Sequence, residues 1–324
     1  MKAAILHQTG DIPKYEDFVI PAVQQENELL IQVTAASIKN LDKMRAKGSH
    51  YDAYQSYPAI AGVDGVGILE NGTRVYASSK TGMMAEKALV LKNSIVPLPE
   101  NLDDATAAAI ANPAVSAWLS LEFKGKLQKG GSVLIAGATG ITGGIAVQLA
   151  KQMGAGKIVA MGRNPVLLEK LLTQGVDKII SLAQPDEAIQ AELQAEKLDK
   201  PFDIVLDYLW GKYAEMILDV LTGHDLNAAS HLTRYIQIGE MAGPLINLKA
   251  AALRSSSIEI CGVGGGSIPL EVMKQIPSVI LPAIFQLAAD GKLSIDTEIL
   301  PLSEVEAAWQ RKDIPGKRIV LSIP

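Results

Sequence analysis

Residues Lys129–Asn164 read KGGSVLIAGATGITGGIAVQLAKQMGAGKIVAMGRN, and the hydrophobic period changes twice along them. Ser132–Ala136 is a short apolar run with Val and Ile, which predicts a buried strand. Gly137, Gly140, Gly143 and Gly144 follow within eight residues, interleaved with Thr139 and Thr142. Ile145, Leu149 and Met153 then fall at i, i+4 and i+8, one face of a helix that stops at Gly154-Ala155-Gly156. Lys157–Gly162 is a second apolar strand. Strand, glycine turn, helix and strand make a right-handed βαβ unit. Its turn brings main chain close to a ligand, and the first helical turn offers unpaired N–H groups to a pyrophosphate. Gly137, Ala138, Thr139, Gly140, Ile141, Thr142 and Gly143 are therefore candidate dinucleotide contacts. Two other glycine clusters lack these flanks: Gly62, Gly65 and Gly67 lead into a strand, and Gly262–Gly266 into no patterned helix.

The end of the second strand bears on which dinucleotide. An NAD-preferring unit usually carries an acid there for the ribose hydroxyls. Here Met161-Gly162 runs into Arg163-Asn164 instead. Arg163 can pair with a 2′-phosphate and stack on adenine, and Asn164 can donate a hydrogen bond, so the expected cofactor is NADPH.

At 324 residues and 34.4 kDa the chain is long enough for two domains. A net charge of −5 and a pI near 5.5, with no basic run, argue against nucleic-acid binding. The opening AAIL run is too brief for a signal peptide, and other apolar stretches are broken by Gly, Thr or Lys, so neither export nor a membrane span is expected. Cys261 is the only cysteine, which excludes an intramolecular disulfide and a cysteine-built zinc site. The expected location is the cytoplasm.

Up to about residue 100 the chain reads as short strands and turns: Glu28–Ile38, then a helix-like Leu41–Gly48, then strands near Val66–Glu70, Arg74–Ser78 and Ala85–Leu91. That suggests a β-barrel-like domain. Asp103-Asp104 can cap the alanine-rich helix that follows, and Asn112-Pro113 looks like the N-cap and first residue of another. Candidate strands at Ser132–Gly137, Lys157–Gly162, Lys178–Leu182, Phe202–Leu206, Arg234–Gly239 and Ser257–Val263 alternate with helical stretches. They predict a doubly wound parallel α/β sheet in the order 3-2-1-4-5-6. After Ile268 come helical segments and a terminal strand, Gly316–Ile323, expected to return to the first domain. The expected division is residues 1–111 with 268–324, and 112–267 between them.

Together SIKNLDKMRAKG, YPAIAGVDGVG, NPAVSAW, VLIAGATGITGGIAVQLAK, FDIVLDYLWG, YIQIGE and GKRIVL resemble, nearly end to end, the medium-chain dehydrogenase/reductases, and within them the zinc-free quinone oxidoreductase-like branch. The resemblance implies a GroES-like β-barrel catalytic domain, a Rossmann-type cofactor domain and hydride transfer from NAD(P)H to a quinone or activated enone. It also implies homodimers or tetramers built through the cofactor domains. Zinc-dependent relatives carry a Cys near Ile38–Asn40, a His-Glu pair near Val63-Asp64 and a four-Cys lobe; these are absent here, so no metal is expected. Lys39 stands where quinone reductases commonly have the Asn that contacts the nicotinamide ribose, with Asn40 beside it. The usual Gly-Gly-Val-Gly reads Gly140-Ile141-Thr142-Gly143.

Further site residues follow from the same resemblance. Ser116 matches a Thr near the nicotinamide, although a helix hydroxyl can also bond its own backbone. Ile238-Gly239-Glu240 and Gly264-Gly265 match segments lining the nicotinamide, and Lys312 lies near a basic cofactor residue or is an exposed lysine. Tyr208 follows the fourth strand at the carboxyl edge, where the switch point puts ligands, or is a core tyrosine. Family enoyl reductases carry a proton-donating Tyr shortly after the equivalent of Gly48; Tyr51 is nearest, with His50 intruding. His7, His224 and His231 have no metal-like spacing. The leading function is an NADPH-dependent reductase of quinones or α,β-unsaturated carbonyls. An enoyl-thioester reductase and a catalytically idle NADPH-binding sensor or structural subunit are the alternatives.

Overall fold

The computed structural model describes residues 1–222, 231–311 and 315–324. The first strands are β1 (Lys2–Leu6), β2 (Lys14–Asp17), β3 (Glu28–Ser37), β4 (Ala59–Ile60), β5 (Asp64–Ile68), β6 (Arg74–Ser78), β7 (Lys87–Leu91) and β8 (Val96–Pro97). Then come β9 (Ser132–Ala136), β10 (Lys157–Gly162), β11 (Lys178–Ser181), β12 (Ile204–Asp207), β13 (Thr233–Gln237) and β14 (Ile258–Gly262). The last are β15 (Asp296–Pro301) and β16 (Lys317–Ser322). The helices used below are α1 (Asn40–Ala46), α2 (Asp104–Trp118), α3 (Ile141–Gln152) and α4 (Pro165–Thr173).

The chain divides into two units, Met1–Asn112 with Lys274–Pro324, and Pro113–Met273. In the second, six parallel strands among the described residues run β11-β10-β9-β12-β13-β14, the 3-2-1-4-5-6 order expected from the alternating pattern. Every residue of β9 and β10 is buried, because helices cover both faces of a parallel sheet. This is why those strands read as unbroken apolar runs rather than alternations. Helix α3 ends as its glycines suggest: Gly154 has φ +87°, Gly154 N–H bonds Lys151 O at 3.0 Å, and Ala155 N–H bonds Ala150 O at 2.9 Å. That pair of bonds is a Schellman cap.

In the first unit the order β15-β16-β3-β5-β6-β8 holds most of one sheet, with β7 also on β3, while β2-β1-β4 form another. The C-terminal strand returns to the N-terminal part of the chain, Val320 pairing Ser37 and Leu321 pairing Ala36. The core beneath includes Ile31, Val33, Met83, Met84, Trp309 and Leu321.

Two expectations are corrected. Asn112-Pro113 does not start a helix, because α2 runs through it from Asp104 to Trp118. Asp103 caps its start, accepting Thr106 N–H at 2.8 Å, and Pro113 costs one main-chain hydrogen bond inside a helix whose alanines, from Ala107 to Ala111 and at Ala114 and Ala117, are buried. That burial outweighs the local break. Nor are all apolar stretches too short: Leu270–Ala289 is one 20-residue helix of mean hydropathy 1.4, long and apolar enough by length and composition to cross a membrane. Pro277 lies in a π-helical stretch at Ile276–Ile280, and Pro282 in the first turn of the α-helical segment that follows. Phe285 of that helix packs into the first unit, edge-on to Tyr76 with ring centroids 5.4 Å apart.

Candidate functional site

The glycine turn is built around one crowded contact. Gly137 sits at φ +92°, a left-handed conformation that turns the chain from β9 into α3. A Cβ on Gly143 would lie 2.3 Å from Gly137 O, so the first helical turn can press on the strand end only with glycine there. Gly140 is the N-cap and brings no side-chain acceptor. Gly140 N–H bonds Gly137 O at 3.0 Å and Gly144 N–H bonds Gly140 O at 2.8 Å. The N–H groups of Ile141, Thr142 and Gly143 have no partner among the described residues. Three convergent donors at a helix N-terminus make a cradle for an anion.

One strand away, Arg163 is exposed and forms no ion pair among the described residues. Asn164 caps α4, its Oδ1 accepting Leu167 N–H at 3.1 Å. That bond fixes the side chain and leaves its NH2 group free to donate. The β10 end thus presents a cation and an amide donor and no carboxylate.

The carboxyl edges of β12 and β13 are organised by a residue that sequence reasoning passed over. Asp207 is fully buried; its Oδ1 accepts Leu209 N–H at 2.8 Å and Trp210 N–H at 2.9 Å, and its Oδ2 accepts the Tyr235 hydroxyl at 2.6 Å. Its main-chain oxygen takes Ile238 N–H at 2.8 Å and Gly239 N–H at 3.1 Å. One aspartate therefore shapes both the 208–211 turn and the 238–240 turn. Burial raises its carboxyl pKa, against the three hydrogen bonds, which favour the anion. Tyr208 lies between the turns, buried, and its hydroxyl finds no partner. Ser116, part-buried on α2, keeps its hydroxyl free, while its carbonyl accepts Ser120 Oγ at 2.7 Å. Gly264 and Gly265 are exposed, and a Cβ on Gly264 would meet nothing within 4 Å. Lys312 and His224 lie outside the described residues.

In the first unit Lys39 and Asn40 part company. Asn40 is exposed at the start of α1. Lys39 is buried, its Nζ donating to Asp64 Oδ1 at 3.1 Å and Ser37 O at 3.1 Å, with Asp42 Oδ2 at 3.3 Å. Burial alone would depress this ammonium, but the Asp42 and Asp64 carboxylates hold it above the ordinary lysine value. Asp42 also takes Lys39 N–H at 2.9 Å and Val63 N–H at 3.0 Å, and Arg318 donates to Ile38 O at 3.2 Å. No donor of Lys39 is left for a ligand.

The 48–57 segment is tied by Arg45, whose Nε bonds Asp52 O at 2.7 Å and whose guanidinium lies 4.7 Å from the Tyr54 ring centroid. Asp52 N–H donates to His50 Nδ1 at 3.1 Å, which sets the neutral tautomer with its proton on Nε2. Tyr51 stacks on His50 at 4.0 Å and is 74% exposed. The Tyr54 hydroxyl is buried without a partner, and burial pushes its pKa up to about 12. His7 pairs with Glu16 at 2.9 Å and His231 with Asp203 at 3.1 Å. Among the described residues no three His, Cys, Asp or Glu side chains gather as a metal site.

The features of the second unit fit a dinucleotide phosphate: a cradle that a Cβ would fill, three free N–H groups and an orphaned phenol at the sheet's carboxyl edge. No family model matches the chain. A probable NADPH-dependent quinone reductase of Emericella nidulans is 26% identical, over 95% of this chain and 96% of that one. The quinone oxidoreductase of Mus musculus is 26% identical, over 88% and 86%. The crystal structure of Escherichia coli quinone oxidoreductase complexed with NADPH superposes with a TM-score of 0.83 at 20% identity, covering 100% of both chains. Along nearly its whole length the chain is thus similar to quinone oxidoreductases at low identity, and it shares their two-domain fold.

The residues read from the glycine turn and the β10 end are neighbours on one sheet edge, β9 and β10 pairing through Ala136 and Met161. Asp207 and Tyr235 were missed because their partnership spans 28 residues of sequence and leaves no periodic mark. The available signal was an aspartate closing the apolar run IVLD, where an acid at the end of a buried strand needs donors.

Proposed function

We propose that the chain is an NADPH-dependent reductase of quinones or α,β-unsaturated carbonyls that works without zinc. The observation that carries this reading is the β10 end, where Arg163 and the Asn164 NH2 stand free beside the unpartnered N–H groups of Ile141, Thr142 and Gly143. When bound, the cofactor supplies a hydride to the acceptor, whose oxygen then takes a proton from a side chain or from solvent. The chain's residues divide the remaining work. The glycine turn, from Gly137 through Ala138, Thr139 and Gly140 to Gly143, binds the pyrophosphate, and Arg163 and Asn164 the 2′-phosphate. Ser116, Tyr208, Ile238, Gly239, Glu240, Gly264 and Gly265 line the nicotinamide half. Asn40 and Tyr51 face the acceptor, whereas Lys39 acts through the structure around it. The Pro113–Met273 unit is then the cofactor domain and the other unit the catalytic domain; the protein assembles as a homodimer or tetramer in the cytoplasm.

The test is NADPH oxidation, followed by absorbance, with a panel of quinones, enals and enoyl thioesters. Turnover of quinones or enals is the expected result. Turnover confined to enoyl thioesters would reassign the substrate, and tight NADPH binding without any turnover would point to a sensor. Elemental analysis is expected to find no stoichiometric zinc, and chelators to leave turnover intact.

A further inference from the structure

Asp207 is buried with its oxygens facing donors only, and no Lys, Arg or His among the described residues forms an ion pair with it. Leu209 N–H and Trp210 N–H can only donate, so Oδ1 cannot carry a proton, and at Oδ2 the Tyr235 hydroxyl is placed as a donor. The arrangement is that of an anion without a countercharge. Its position follows from the sheet. Asp207 is the last residue of β12, paired with Ala136 on β9 and Gln237 on β13, so it stands beside the point where strand order reverses. A dinucleotide straddles that point. With the 2′-phosphate at the β10 end and the pyrophosphate at the α3 N-terminus, the nicotinamide half falls on the β12–β13 side.

We propose that the Asp207 carboxylate favours the positively charged, oxidised nicotinamide over the neutral, reduced one, making the bound cofactor a stronger hydride donor. This rests on the reading that the unit binds NADP(H). The electron balance is simple. Both electrons of the breaking C–H bond leave with the hydride for the acceptor carbon, the ring is left with one positive charge, and the acceptor oxygen takes its proton from a side chain or from solvent. A fixed buried anion lowers the energy of that charged ring and does nothing for the neutral one. A purely structural Asp207 would act differently. Loosening the 208–211 and 238–240 turns would weaken both redox forms in proportion.

The experiment compares dissociation constants of NADP+ and NADPH for the wild-type chain and for Asp207→Asn, which keeps an acceptor for Leu209 and Trp210 but removes the charge. The ratio Kd(NADP+)/Kd(NADPH) is expected to rise on the order of 10-fold. For a two-electron couple, tenfold corresponds to a bound potential about 30 mV higher. Asp207→Ser, with a hydroxyl acceptor, repeats the test if the first variant does not fold. Equal weakening of both forms overturns the inference and leaves the NADPH reading standing. Failure of the wild-type chain to bind either form overturns that reading too. Should neither variant fold, the wild-type ratio decides: NADP+ binding more than tenfold more weakly than NADPH refutes the tuning charge, and comparable or tighter binding supports it.

Discussion

Buried charge is handled in opposite ways in the two units. Around Lys39, two carboxylates are balanced by its ammonium and the neighbouring Arg318 guanidinium, with Lys39, Asp42, Asp64 and Arg318 all buried. Around Asp207, one carboxylate is held by two backbone N–H groups and a phenol, with no cation. The same contrast holds for uncharged groups: at the start of α3 the N–H groups of Ile141, Thr142 and Gly143 stay free, whereas Asp42 absorbs those of Lys39 and Val63. Saturated clusters hold a fold together, and unsaturated ones wait for a ligand. On the proposed function, the Lys39 cluster is architecture and the edge from Gly137 to Gly239 is the binding surface.

In the first unit the exposed Tyr51 hydroxyl gives the largest expected effect. If Tyr51 protonates the acceptor, Tyr51→Phe should cut enone turnover by ~10²–10⁴-fold at saturating NADPH, with quinone turnover falling far less. Small, equal losses for both substrates would restore the plain contrast between the units. Next in size is Lys39→Met, which strands Asp42 and Asp64 without their cation. Denaturant unfolding should show a loss of about 3–5 kcal/mol, largely recovered by adding Asp64→Asn. A variant that stayed stable but bound NADPH weakly would make Lys39 a ligand contact after all.

On the other side of the comparison, Gly143→Ala puts a methyl 2.3 Å from Gly137 O. It should cost about 1–3 kcal/mol of stability and abolish measurable dinucleotide binding in titration calorimetry. Unchanged binding would mean the turn is only a turn. The smallest effect is expected for Arg163→Ala. NADPH affinity should drop by about 10- to 100-fold while NADH affinity barely moves, the scale of one charge-assisted contact. A wild-type chain that binds NADH as tightly as NADPH would remove Arg163 from the site.

How much of this was legible in the sequence depended on whether the governing interaction was local. The βαβ unit, the sheet order and the Asp103 cap each follow from neighbours a few residues apart or from unbroken apolar runs. Pro113 was misread because its local signal is real but the burial of Ala107–Ala111, Ala114 and Ala117 overrides it. The lysines that were expected to break every apolar stretch do not do so at Lys274, where Leu270–Ala289 runs on as one helix through a π-helical stretch. Asp207 with Tyr235, and Lys39 with Asp64, are partnerships across strands. Nothing in residue type or spacing says whether such a side chain turns inward.

The pairing of β16 with β3 has a consequence for how the molecule is made. Strand β3 leaves the ribosome before the Pro113–Met273 unit, and β16 after it. Until β16 emerges, β3 waits without one of its sheet neighbours. The Pro113–Met273 unit has all its strands as soon as Met273 has emerged. Vectorial synthesis therefore lets the Pro113–Met273 unit mature first and leaves the interrupted unit open along one edge until β16 arrives.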